Sequence, residues 1–227
     1  MNFIGDVHGK WNMYFDLISK LKGESIQVGD FGMGFGSETP PEWNKAHMFI
    51  RGNHDSPEIC RAHPNYLGDY GVIKSGTLSE GGIFFVGGAH SIDYKWRQIH
   101  NYTNPDQQVW WEDEEILEED FPFVLKEYEE CRPNIVVAHD APECIQEYIV
   151  DGNMEDKRRF INRTCHGLLP EMIKIHKPAL WIFGHYHTST DIEFDGIRYI
   201  GLAELEVFEI DTELGYDELK CANVKKN

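Results

Sequence analysis

Nowhere does the sequence contain an apolar run approaching the length that a bilayer-spanning helix needs, and Met1-Asn2-Phe3-Ile4 leads straight into strand-like sequence. Both features argue against a membrane anchor and a leader peptide. Cysteine is sparse: the five residues (Cys60, Cys131, Cys144, Cys165, Cys221) are scattered, odd in number and free of C-x-x-C pairs. That argues against a disulfide framework and a zinc-thiolate site, and fits reduced thiols in a cytoplasmic protein. The tripeptides Asn101-Tyr102-Thr103 and Asn162-Arg163-Thr164 match a glycosylation signal but carry no meaning in that compartment. Positive charge is scarce too, with 21 Lys+Arg against 39 Asp+Glu and a formal net charge of -18. Such a surface repels a long polyanion, so non-specific nucleic-acid binding is not expected, and the acidity is read first as a solubility device.

What is present is an ordinary globular mixture, 41% apolar and 26% charged, in 227 residues. That suffices for one sizeable buried core. There is no repeat and no clear linker, so a single domain is expected over 1–215, followed by a polar tail over 216–227.

Five short apolar runs end in a small residue followed at once by side chains able to bind metals or move protons. They are Asn2–Asp6, Ile26–Asp30, Met48–Asn53, Ile135–His139 and Leu180–His185. Continuous β-rich runs of this length read as buried strands. Helical spacing falls between them, over Trp11–Lys22, Phe121–Cys131 and Ile161–His176. Strands alternating with helices predict an α/β domain, in which ligands gather beyond the carboxyl ends of the strands. Further strands are expected at Gly71–Lys74, Ile83–Val86 and Glu206–Ile210, and Asp195-Gly196 predicts a hairpin turn. The stretch 89–120, aromatic and charged with little strand pattern, is expected as an irregular loop packed over something. Trp96, Trp110 and Trp111 favour an ordered loop.

Asp6-Val7-His8 and His185-Tyr186-His187 each place two potential ligands two positions apart, on one side of an extended chain. Glycines at 5, 29, 52 and 184 let the backbone turn where each strand ends. The five strand ends can therefore pool Asp6, His8, Asp30, Asn53, His139, His185 and His187. This mixed imidazole, carboxylate and amide set suits Mn, Fe, Zn or Ni better than Ca or Mg alone, and is large enough for two adjacent ions. Singly, each piece reads more readily as ordinary hydrogen bonding; their coincidence at five strand ends is what points to a metal site.

In order and wording, Gly5–Gly9 (GDVHG), Gly29-Asp30 (GD), Gly52–Asp55 (GNHD), His139 and Gly184–His187 (GHYH) resemble the calcineurin-like metallophosphoesterase superfamily, across residues about 1–200. The resemblance implies a four-layer α/β/β/α sandwich of two mixed sheets flanked by helices, and a phosphoric ester hydrolase with a dinuclear metal centre. It implies that Asp6, His8 and His187 hold one ion and that Asn53, His139 and His185 hold the other. Asp30 would bridge the two, with Mn2+ as the first expectation. His54, paired with Asp55, is similar to the family's non-ligand histidine that contacts the phosphate and leaving group. Two such ions polarise phosphoryl oxygens and hold a bridging hydroxide for in-line attack. An imidazolium at His54, kept charged by Asp55, would protonate the leaving group.

The expected substrate is a small or flexible phosphomono- or diester. Protein Ser/Thr phosphatases of the superfamily carry a glutamate where this chain has Asp55. They also have a phosphate-gripping arginine after the second motif, where this chain reads Phe31-Gly32-Met33-Gly34-Phe35-Gly36. That activity is therefore the alternative rather than the main reading. A non-catalytic interaction module is a further alternative, weakened by the filled ligand positions. Lys95 and Arg97 in the 89–120 stretch are candidate phosphate-gripping cations, and solvated surface charges are the competing account of both.

Overall fold

The computed structural model describes residues 1–36, 39–73, 82–149, 167–211, 214, 216–221 and 225–226. Expectations placed on Lys74, on Ile161 to His166 and on Cys165 lie outside the described residues.

Alternation along the strands decides the layering. In β5 (Ile83–Val86), Ile83 and Phe85 face one core while Phe84 and Val86 face another. The same split separates Ile135 and Val137 from Val136 and Ala138 in β6 (Ile135–Ala138), and Leu180 and Ile182 from Trp181 and Phe183 in β7 (Leu180–Phe183). Side chains of period two on strands buried on both faces give continuous apolar runs, as these sequences have. These three strands run parallel. Adding β4 (Tyr70–Ile73), β8 (Thr190–Phe194) and β9 (Ile197–Gly201) makes a sheet of order β4-β5-β6-β7-β9-β8, with β4 and β8 antiparallel at its edges. The second sheet has β1 (Asn2–Ile4), β2 (Ser25–Gln27) and β3 (His47–Phe49) in parallel. Antiparallel β10 (Val207–Glu209) and β11 (Lys225–Lys226) complete the order β11-β10-β1-β2-β3.

Between the sheets, Phe3, Ile26 and Val28 pack against Phe85, Val137, Leu180, Ile182 and Ile200. Outside the larger sheet lie α4 (Phe121–Cys131), α5 (Glu143–Ile149) and α6 (Leu168–Ile175), which bury Val124, Tyr128, Ile145, Leu169 and Met172 on Trp181 and Phe183. Outside the smaller sheet, α1 (Trp11–Ile18) and α2 (Pro57–Ala62) cover Ile4 and Phe49 with Tyr14, Ile18 and Cys60. Each such buried side chain contributes about 1.5–3 kcal/mol. The result is the two-sheet α/β/β/α sandwich that the sequence predicts.

Three local differences have physical causes. Helix α1 stops at Ile18, short of Lys22, because beyond it the amide bonds tighten to i→i+3 (Lys20 to Leu17, Leu21 to Ile18) and Ser19 Oγ donates back to the Asp16 carbonyl at 2.7 Å. The stretch 89–120 is not irregular throughout: α3 (Tyr94–Thr103) occupies its middle. This helix buries Arg97, while Trp96, Ile99 and Tyr102 face outward, so no inward apolar stripe marks it in the sequence. Within the expected tail, α7 (Tyr216–Cys221) buries Leu219 in the core between the sheets, and β11 pairs with β10.

Among the described residues no helix is long and apolar enough to cross a membrane, and no disulfide forms.

Candidate metal centre

All five motif-bearing strands end at one edge of the sandwich, and their loops are tied to one another before any ligand is considered. The Asp30 carbonyl accepts from the amides of Val7 (3.0 Å) and His8 (2.8 Å), joining the β1 and β2 loops. The His139 carbonyl accepts from Gly184 N at 3.1 Å, joining those of β6 and β7. Four of the pooled residues sit in left-handed backbone conformations: His8 (φ 48), Asp30 (φ 56), His185 (φ 66) and His187 (φ 52). Asp and His tolerate that region better than most side chains, and its local cost is characteristic of functional sites. Gly29 does turn the backbone, at φ 103, but two other motif glycines serve a different purpose. At Gly52 and Gly184 a Cβ would collide with the Asp30 and Asp6 carboxylates, so glycine is there for close approach.

Two clusters share one carboxylate. In the first, donor atoms of Asp6, His8, Asp30 and His187 all lie within 4.8 Å of one another, and in the second so do those of Asp30, His139 and His185. Asp30 turns Oδ2 toward His8 Nε2 (3.8 Å) and Oδ1 toward His139 Nε2 (3.2 Å). Asp6 Oδ2 lies 3.1 Å from His187 Nε2 and 3.7 Å from His8 Nε2. His139 donates through Nδ1 to the Val28 carbonyl at 2.8 Å, which fixes its tautomer and aims Nε2 at Asp30. Asn53 donates through Nδ2 to Ser91 Oγ at 3.2 Å, and its buried Oδ1 has no hydrogen-bond partner among the described residues. A buried amide oxygen without a partner, beside a shared carboxylate and convergent imidazoles, fits a divalent cation by donor chemistry.

Electrostatics follow from burial and these contacts. Burial opposes charge on both carboxylates, yet His187 and His8 hold Asp6 below its ordinary value, and His139 and His54 hold Asp30 well below its own. Burial likewise disfavours a charged His139, but Asp30 overrides it and raises the imidazole to about 10. His185, desolvated and next to His139, falls to about 4. Without metal, the second cluster is thus an imidazolium–carboxylate pair beside a neutral imidazole.

His54 lies on the rim of both clusters, its Nδ1 3.1 Å from His8 Nδ1 and 3.6 Å from Asp30 Oδ2. Its ring stacks on Phe35 with centroids 4.6 Å apart, and Nε2 is hydrogen-bonded to the Arg97 guanidinium. Two expectations are corrected here. Arg97 can only donate, so His54 Nε2 accepts and the ring is neutral rather than an imidazolium. Burial, with Arg97 adding to it, lowers His54 to about 4. Nor does Asp55 orient His54. Its carboxylate, fully buried, accepts from four backbone amides: Phe31 (3.1 Å), Gly32 (2.7 Å), Met33 (2.8 Å) and Gly52 (2.8 Å). It clamps the Phe31–Met33 loop to the GNHD turn.

The clusters open into a cavity of about 570 Å³ lined by Asp30, Asn53, His54, Arg97, His185 and His187, with Ile92, Asp93, Ile149, Tyr186 and Thr188 completing the wall. Of the two candidate cations, only Arg97 lines it. Lys95 is exposed, with Nζ 5.8 Å over the Tyr94 ring. The 89–120 stretch contributes Ile92, Asp93 and Arg97 to this lining but not its tryptophans: Trp96 faces solvent, and Trp111 is buried against Phe35. Phe35, Ser91 and Glu114 are site components that sequence reasoning missed. For Ser91 a signal was available, because Gly87-Gly88-Ala89-His90-Ser91 follows β5 as a sixth strand end. His90 pairs with Glu115 at 3.0 Å, and His47 is buried with its Nδ1 hydrogen-bonded to Ser25 Oγ at 2.9 Å.

Against known proteins, no curated sequence matches the chain. Among solved structures it is similar to phosphopantetheinyl hydrolase from Mycobacterium tuberculosis, at 12% identity and TM-score 0.48 over 89% of each chain. It is also similar to a Thermotoga maritima protein, at 15% identity and TM-score 0.39 over 100% of this chain and 96% of that one. A third likeness is to the anchor in the inner membrane complex of Plasmodium, at 11% identity and TM-score 0.43 over 89% of this chain and 71% of that one. The sequence profile of the calcineurin-like phosphoesterases matches residues 2–189, most of the chain. The chain belongs to the calcineurin-like phosphoesterase family.

Proposed function

We propose that this protein is a phosphoric ester hydrolase that works with two divalent cations, Mn2+ first among them, on a small or flexible phosphomono- or diester. The observation that carries this reading is Asp30, whose two oxygens face two separate donor clusters. Asp6, His8 and His187 would hold one ion, Asn53, His139 and His185 the other, and Asp30 both. When bound, such ions supply Lewis-acid polarisation of a phosphoryl oxygen and a nucleophile at neutral pH.

The chain's own groups account for the rest. Arg97 is buried with its guanidinium at the cavity, and its Nε is held by Asp93 at 2.7 Å. An entering phosphoryl group competes with His54 Nε2 for that guanidinium, since an anion is the stronger acceptor. His54 Nε2, once released, can take up a proton from solvent and donate it to the leaving oxygen. Phe35 fixes the plane of that imidazole by stacking on it. With Arg97 the one Lys or Arg of the cavity wall among the described residues and an acidic surface overall, a single phosphoryl group is matched better than a polyanion.

The test is a Mn2+-reconstituted screen of phosphomonoesters, linear diesters, cyclic nucleotides and phosphopeptides. Hydrolysis of a mono- or diester that depends on added metal is expected. Phosphopeptide turnover far above the others would favour the protein phosphatase alternative, and no turnover with two ions bound would favour the non-catalytic one.

A further inference from the structure

The direction of the Asn53 amide decides whether an oxygen or an NH2 group faces the second cluster, and the protein appoints neighbours to decide it. Asn53, Ser91 and Glu114 are all buried. The Glu114 carboxylate accepts twice from Ser91, from its backbone N–H at 2.8 Å and from its hydroxyl at 2.6 Å. The second distance lies in the charge-assisted range of about 2.5–2.7 Å for O–H···O⁻. A carboxylate cannot donate, so the single Ser91 hydroxyl proton is committed to Glu114. Ser91 Oγ then has only lone pairs left, and these need a donor. Asn53 Nδ2 supplies it at 3.2 Å, leaving Asn53 Oδ1 at the opposite end of the amide, buried and without a partner among the described residues. A flipped amide would set its oxygen against the lone pairs of Ser91 and turn its NH2 toward the cation site.

Glu114 is itself held from the motif side. Arg51, wholly buried two residues before Asn53, donates to the Glu114 carbonyl at 2.5 Å and the Glu115 carbonyl at 3.3 Å, with its Nε on Asp69 at 2.6 Å. Arg97 donates to the Asn53 carbonyl at 3.2 Å. The stretch 89–120 therefore reaches the site through Ser91, Arg97 and Glu114 together.

We propose that Ser91 and Glu114 are positioning residues that lock the Asn53 amide oxygen toward the second ion, so that the 89–120 segment completes the metal centre rather than only flanking it. This rests on the two-ion reading, and the decisive variant is isosteric. In Glu114→Gln the amide NH2 can donate to Ser91 Oγ, which frees the Ser91 proton for Asn53 Oδ1 and reverses the lock at unchanged volume. Burial pushes the Glu114 carboxyl up to about 7 against its two Ser91 hydrogen bonds, so the comparison is made at a pH above that value.

Calorimetric titration of the metal-free protein with Mn2+ is expected to show one of two ions bound about ten- to hundredfold more weakly in Glu114→Gln, the other being retained. Ser91→Ala is expected to behave alike, and Ser91→Thr, which keeps the hydroxyl, to restore wild-type binding. Two ions bound by Glu114→Gln at wild-type affinity would overturn the lock. A wild-type protein binding fewer than two ions would overturn the two-ion reading instead. The lock is then judged on metal-free protein by NMR: changed side-chain amide resonances and faster exchange at Asn53 in Glu114→Gln uphold it, and unchanged ones overturn it.

Discussion

The two halves of the centre, on either side of Asp30, are built differently. On the Asp6 side, His187 is half exposed, and its Nε2 lies 2.8 Å from that of His8. On the His139 side, His139 and Asn53 are buried, and each is oriented by an outer partner: the Val28 carbonyl for the one, Ser91 for the other. A half whose ligands are desolvated and aimed during folding meets an ion with less reorganisation than one whose rings still touch each other and water. The His139 half should therefore hold its ion more tightly, and the open half should exchange first. Brief chelation followed by metal counting is expected to leave about one ion per chain; simultaneous loss of both would remove the asymmetry.

The largest effect is expected where the halves meet. Asp30→Asn keeps the shape but removes the charge both clusters use, so both ions should be lost. With them goes stabilisation worth several kcal/mol, or about a thousandfold in turnover. Retention of full metal content would break the shared-carboxylate account. Next comes a change outside both clusters. Asp55→Ala leaves four buried amides without their acceptor, at about 1–3 kcal/mol each for an unpaired buried group, so a loss of about 4 kcal/mol or more is expected in denaturant unfolding. A variant of normal stability but reduced turnover would return Asp55 to a role at His54.

How much of this can be read from the sequence depends on where the information resides. Asp6, His8, Asp30, Asn53, His139, His185 and His187 follow strand ends directly, and a parallel sandwich collects strand ends whatever its loops do. Local pattern therefore suffices to pool them. Their division by Asp30 is implied only by the family resemblance, because spacing alone does not encode the angle of one carboxylate. Asp55 misleads because adjacency to His54 suggests a pair, whereas the tight turn carries its carboxylate into a nest of backbone amides. Glu114 lies 61 positions beyond Asn53 and is brought home by Arg51, a contact visible only in three dimensions. Helix α3 is obscured for a related reason, since its buried face is an arginine serving the cavity rather than an apolar stripe serving the core.

A smaller effect is expected at the rim that both halves share. His54→Ala should leave metal content unchanged and slow turnover about a hundredfold, most on substrates with poor leaving groups. An equal loss on good and poor leaving groups would assign His54 to phosphate contact alone.

The gentlest probe of the asymmetry is pH, because both halves hold an imidazole raised against its burial but to different extents: Asp6 and Asp30 raise His8 on the open half, whereas Asp30 carries His139 on the other much further. His139 is raised from 6.5 to about 10 by its pairing with Asp30. Its contribution to the stability of the metal-free fold is fully present below 6.5 and is lost as pH rises through about 10. Metal at that position displaces the same proton, so between those limits its affinity should climb by up to about tenfold per pH unit while the metal-free protein grows less stable. Opposite slopes in calorimetric affinity and in metal-free unfolding midpoints are thus expected from one group. Parallel slopes would mean that the proton governing metal uptake does not sit on His139.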